Sequence, residues 1–81
     1  MTQREKLLQK LLNGQPLSFD ELYTLLEAYE FQVKTRGSHY NFRRDSVLLT
    51  IPRHGKTVKT VYLKKAAEVL REITERNDTP A

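Results

Sequence analysis

The sequence contains no cysteine, and this absence excludes both a disulfide framework and a metal site built on thiolates. No apolar run approaches the roughly 20 residues that a helix needs to cross a bilayer, and the first residues mix charges with leucines, unlike a secretory signal. The two histidines have no cysteine partners, and no glycine-rich phosphate loop is present. We therefore predict a cytoplasmic protein that needs no metal, no other cofactor and no membrane.

The chain is short, and its 81 residues leave room for a single core. We predict one domain over residues 1–77 and a flexible C-terminal tail over residues 78–81, because the tail follows the last helical pattern. No internal repeat, linker or low-complexity segment divides the sequence.

Charge is unevenly distributed along this basic chain, whose net charge is +4. The segment from Lys34 to Lys65 holds nine lysine or arginine residues and a single acid, Asp45, whereas the other acids lie before and after it. Basic residues concentrated in one segment are typical of a surface that binds a polyanion. We therefore predict that the middle of the chain faces the polyanion and that its ends support the fold.

Helical patterns occupy both ends of the chain. Two capping boxes, Thr2–Glu5 and Ser18–Glu21, each precede leucines at helical spacing and predict two N-terminal helices. Asn13-Gly14 is a signal for the end of the first helix. After the central segment, Thr60 is expected to cap a last helix that ends near Asn77.

From Phe31 the apolar residues recur at every second position, which predicts strands. Two turn signals, Gly37-Ser38 and Asp45-Ser46, divide the segment into three strands, and Pro52 stops the third. The predicted fold class is α+β: a three-stranded antiparallel sheet with helices packed on one face, in the order α-α-β-β-β-α. The other face stays exposed to water. The alternating polar residues expected on that face are Lys34, Arg36, His39, Asn41 and Arg43.

His39 is the strongest candidate for a catalytic side chain, with Lys34, Arg36 and Arg43 expected nearby. Cleavage of RNA by its own 2′-hydroxyl needs a base for that proton, cations for the phosphate charge and an acid for the leaving oxygen. A histidine titrates near neutral pH and can serve as base or acid. The residues alone leave a second interpretation open, in which His39 is an exposed strand residue with no chemical role.

Three short motifs resemble one known family. Arg36–Phe42 is similar to the Gly-Ser-His-x-x-Phe signature of the HicA toxins, Thr50–His54 resembles their Ile-Pro-x-His segment, and Ser18–Phe31 resembles the helix that leads into their first strand. The resemblance implies a double-stranded-RNA-binding-domain-like fold and a type II toxin–antitoxin toxin. It also implies metal-independent endoribonuclease activity on mRNA, inhibition by a HicB-type antitoxin, and catalysis by His39. Glu30 departs from the pattern, because many members have glycine before the aromatic residue.

The basic and polar residues around His39 are predicted to bind RNA, chiefly through its phosphates. The predicted RNA-binding residues are Lys34, Arg36, Ser38, Asn41, Arg43, Arg53, His54, Lys56 and Lys59. His54 is open to two interpretations, either a chemical role near the phosphate or a turn residue that fixes the end of the strand. Tyr40 alternates with His39, so we expect it in the core and not stacked on a base.

Two other functions remain compatible with the residues. The first is a non-catalytic RNA-binding module on the same fold. The second is a DNA-binding or assembly domain in which the first two helices form a helix-turn-helix, but the acidic segment Ser18–Glu30 disfavours it.

Overall fold

The computed structural model describes residues 2–77, and within them the chain forms three helices and one three-stranded sheet. The elements are α1 (Gln3–Leu12), α2 (Phe19–Ala28), β1 (Gln32–Arg36), β2 (His39–Arg44), β3 (Val47–Pro52) and α3 (Thr60–Asn77). The strands are antiparallel in the order β1-β2-β3. The predicted α+β layout is confirmed. The predicted tail, residues 78–81, lies outside the described residues. No helix in residues 2–77 is both long enough and apolar enough to cross a membrane.

The capping residues set where the helices begin. At the start of α2 the Ser18 hydroxyl accepts from the Glu21 N–H at 3.1 Å, and the Glu21 carboxylate accepts from the Ser18 N–H at 2.9 Å. The predicted capping role of Thr60 is wrong, because Thr60 is already the first residue of α3. The carbonyl of Lys59 accepts from the Leu63 N–H at 3.2 Å, which puts the first helical hydrogen bond one residue earlier.

Both N-terminal helices end in the same backbone motif. Gly14 has φ 79°, and the following N–H of Gln15 donates to the carbonyl of Lys10 at 2.9 Å. Glu30 takes the equivalent place after α2 with φ 68°, and the Phe31 N–H donates to the carbonyl of Leu26 at 3.1 Å. Glu30 thus adopts the left-handed conformation that glycine would take there, and the chain turns into β1.

One hydrophobic core fills the space between the helices and one face of the sheet. Tyr40 lies at its margin, half-buried, with its ring centroid 4.8 Å from that of Phe19 in an edge-on arrangement. Tyr40 therefore lies on the helix-covered face, as predicted, and packs against the core without being fully buried. Since the helices cover one face only, the other is left to solvent. The largest fully buried side chains are Phe19, Leu22, Leu25, Leu26, Phe42, Ile51 and Leu70.

Candidate functional site on the open face of the sheet

The face of the sheet that points away from the helices is called the open face here. Residues directly paired in an antiparallel sheet point to the same side, so the register defines this face as three rows of three residues. The five residues predicted to share this face all lie on it. The rows are Arg36, His39 and Pro52; then Lys34, Asn41 and Thr50; then Gln32, Arg43 and Leu48.

His39 is the first residue of β2 and is exposed to solvent. It is paired with Arg36 on β1 and with Pro52 on β3. The turn before it is tight because Gly37 adopts φ 61°, a conformation that favours glycine in two-residue hairpin loops. The carbonyl of Ser38 in this turn accepts from the Arg53 N–H at 2.7 Å, which ties the turn to the end of β3. The His39 side chain is therefore carried by a hairpin between β1 and β2 that a hydrogen bond to Arg53 holds in place.

The cations of the open face are spaced along the strands. Arg36 is in the same row as His39 and Lys34 is one row away. Arg43 is four residues further along β2, a distance of about 14 Å at the usual rise of ~3.4 Å per residue. Arg36 and Lys34 are thus the cations close to His39, whereas Arg43 marks the opposite end of the face.

The loop after β3 packs against the start of α2. The Arg53 guanidinium lies 4.9 Å from the centroid of the Phe19 ring and 3.7 Å from the Asp20 carboxylate, so its charge is partly balanced there. The Phe19 N–H donates to the carbonyl of Lys56 at 2.8 Å, which holds the loop in place. The structure therefore assigns Arg53 a packing contact in addition to its predicted role in RNA binding.

His54 belongs to the same loop and is exposed. It forms an isolated bridge with Thr57 around Gly55, whose φ is 74°. Because it follows Pro52 by two residues, its Cα is within about 7 Å of that of Pro52, the partner of His39 in the register. Both histidines are therefore at the same end of the sheet. The exposed Lys56 and Lys59 are in the same connection between β3 and α3.

The open face carries positive charge that no acid on the same face offsets. Among its nine residues are Lys34, Arg36 and Arg43, and none is aspartate or glutamate. Across residues 2–77, no group of three or more histidine, cysteine or acidic side chains is arranged to hold a metal ion. An imidazole that is exposed beside cations on an uncovered surface can contact a polyanion bound there.

Sequence reasoning missed what β3 contributes to this face. Leu48, Thr50 and Pro52 complete the three rows, and the Thr50 hydroxyl donates to the Asn41 side-chain oxygen at 2.7 Å. Apolar residues occupy both faces of β3, so polar and apolar residues hardly alternate along it. Thr50 is the one polar residue in this strand that indicates which face is exposed to solvent.

Comparison with known families agrees with this geometry. A family model described as the HicA toxin of bacterial toxin–antitoxin systems matches residues 19–73. The match runs from the first residue of α2 into α3 and includes every strand, so it covers the whole open face and more than half of the chain. Neither the search of curated proteins nor the search of solved structures finds a match. The chain belongs to the HicA family of toxins from bacterial toxin–antitoxin systems.

Proposed function

We propose that this toxin is a metal-independent endoribonuclease that cleaves mRNA, with His39 as its single catalytic side chain. The observation that carries the proposal is the exposed imidazole of His39 on the open face, in register with Arg36. An extended polymer can reach this surface without a cleft, because the helices cover only the opposite face. The family match supports the toxin assignment, and the exposed imidazole beside cations supports the proposed chemistry.

In the proposed reaction the neutral imidazole of His39 takes the proton of a ribose 2′-hydroxyl. The 2′-oxygen forms a bond to the adjacent phosphorus, and the bond from phosphorus to the 5′-oxygen breaks. Water donates a proton to that leaving oxygen, and the imidazolium returns its proton to solvent. The products are a 2′,3′-cyclic phosphate and a 5′-hydroxyl. Arg36 stabilises the negative charge that develops on the phosphate oxygens.

RNA is held by the cations that surround this point. On the open face, Lys34 contacts a phosphate next to the reacting one, and Arg43 contacts a phosphate further along. Asn41 adds a polar contact between them. At the end of the sheet where His39 lies, the turn between β1 and β2 and the connection between β3 and α3 contribute the remaining contacts. These involve Ser38, Arg53, His54, Lys56 and Lys59.

The partner in this proposal is a HicB-type antitoxin that covers the open face. Burial of this surface would exclude RNA and place acidic groups opposite Lys34, Arg36 and Arg43. We expect the antitoxin to protect His39 from modification by diethyl pyrocarbonate in the complex. A bound complex in which His39 is modified as fast as in the free toxin contradicts this mode of inhibition.

Cleavage and binding of a labelled RNA, measured separately in the presence of EDTA, test the proposed activity. We expect the wild type to cleave, and we expect His39→Ala to bind the RNA without cleaving it while unfolding at the same temperature. His54→Ala is the matched comparison, because it removes the other exposed imidazole. A His39→Ala protein that still cleaves overturns the proposal. Salt-dependent binding without products, even by the wild type, identifies a non-catalytic RNA-binding module instead.

A further inference from the structure

The three strands contribute unequally to the charge of the open face. β1 supplies Lys34 and Arg36, whereas the outward residues of β3 are Leu48, Thr50 and Pro52, which carry no charge. A polyanionic backbone is therefore attracted toward the β1 side. A nucleotide whose phosphate contacts Lys34 extends its base across the sheet, and β2 is one strand spacing away, about 4.8 Å. The base then lies over the middle row.

Asn41 is at the centre of that row, half-buried between Lys34 and Thr50. The Thr50 hydroxyl donates to Oδ1 of Asn41 at 2.7 Å. In this arrangement the Thr50 hydroxyl engages the oxygen of the carboxamide on the β3 side. The Nδ2 group is consequently turned away from β3. It donates to no other protein atom among the described residues 2–77.

We propose that Thr50 is a positioning residue that makes Asn41 a donor, which selects the base next to the cleaved phosphate. The inference rests on the proposed ribonuclease function. Asn41 follows His39 by two residues on the same face, about 7 Å along β2, which is the scale of one nucleotide step. Its Nδ2 group hydrogen-bonds acceptors such as O4 of uracil or O6 of guanine, and it meets an amino group on cytosine or adenine.

The expected difference in kcat/KM between RNAs with different flanking bases corresponds to the free energy of one hydrogen bond. A single uncharged hydrogen bond corresponds to roughly a 3- to 10-fold difference in kcat/KM. Uracil or guanine at the flanking position is favoured over cytosine or adenine, because the latter two carry an amino group where uracil and guanine carry the exocyclic oxygen.

The test uses short 5′-labelled RNAs that differ only in the bases on either side of the cleaved bond. kcat and KM are measured separately for the wild type and for three variants. Thr50→Val removes the donor at nearly constant volume and frees the amide to rotate, so the base preference falls toward unity. Thr50→Ser keeps the hydroxyl and keeps the preference. Asn41→Asp presents only acceptors, so the preference for O4 of uracil and O6 of guanine is lost.

The outcomes separate this inference from the proposed function. A wild type that cleaves RNA with no base preference at either flanking position overturns the role of Asn41 and leaves the ribonuclease activity intact. A Thr50→Val protein that keeps the wild-type preference, or that loses rate equally on all substrates, overturns the positioning role of Thr50. If the wild type cleaves none of these RNAs, the proposed function itself fails.

Discussion

Replacement of Glu30 by glycine should stabilise the protein, because Glu30 ends α2 in a backbone conformation that disfavours side chains. Its φ is 68°, in the left-handed region, where an L-residue costs about 1–2 kcal/mol. Glu30 is exposed, so its removal costs no burial. Glycine relieves the strain, but its greater conformational entropy also stabilises the unfolded chain by about 0.4–1 kcal/mol. The net gain is therefore about 1 kcal/mol, which raises the Tm of a domain of this size by roughly 4–8 °C.

Urea and thermal unfolding followed by far-UV circular dichroism measure this gain. Glu30→Ala is the control for charge, because it removes the carboxylate and keeps the strained Cβ, and it should change the stability by less than about 0.5 kcal/mol. Gly14→Ala is the reverse experiment at the end of α1. Its φ is 79° and an added Cβ would meet nothing within 4 Å, so the expected net loss of about 1 kcal/mol is backbone strain, partly offset by the lower entropy of the unfolded chain. A Glu30→Gly protein that is no more stable than the wild type would show that the backbone at Glu30 is not strained. The same conclusion would follow if Glu30→Ala were stabilised as much as Glu30→Gly.

Three further predictions follow from the cap, the core and the open face. The hydrogen bond from the Ser18 N–H, with a smaller effect of Lys10, lowers the pKa of Glu21. The stability that Glu21 contributes is therefore present above about pH 4.5 and is lost as the pH falls through its folded-state pKa. The free energy of unfolding of Glu21→Gln should accordingly depend less on pH in acid titrations. Phe42→Ala should lower the free energy of unfolding by about 3–5 kcal/mol in urea titrations, because the side chain is 1% exposed. Arg36→Ala should reduce the slope of log affinity against log salt for single-stranded RNA by about 0.7. An equal change in Lys6→Ala, which removes an exposed cation of α1, would contradict the assignment of the open face.

Much of the fold was predictable because its determinants are local. The capping boxes that open α1 and α2 involve residues three positions apart, and the structure forms both. β2 covers His39–Arg44, as the alternation indicated, because two-residue turns at Gly37-Ser38 and Asp45-Ser46 fix its ends. Once the helices are assigned to one face, the same alternation decides which residues of β1 and β2 are outside.

The remaining features depend on contacts between distant segments. Arg53 packs on Phe19, which is 34 positions earlier in the chain, and no local pattern indicates that contact. Thr50 bonds Asn41 only because β3 pairs with β2 in one register. The alternation of residues along a strand predicts which face each residue occupies, but it does not predict distances on that face. For this reason Arg43 was expected near His39, although it lies at the other end of the open face. The proposed base preference depends on the contact between Thr50 and Asn41.

The most direct measurement is the single-turnover rate constant for cleavage of one RNA by the wild type and by His39→Ala, at saturating protein and with EDTA present. Proton transfer by a positioned side chain contributes about 10²–10⁴-fold to such a rate. We expect the variant to cleave at least about a hundredfold more slowly while it binds the RNA with unchanged affinity. A variant whose rate constant stays within a few-fold of the wild-type value would contradict the assignment of His39 as the catalytic base.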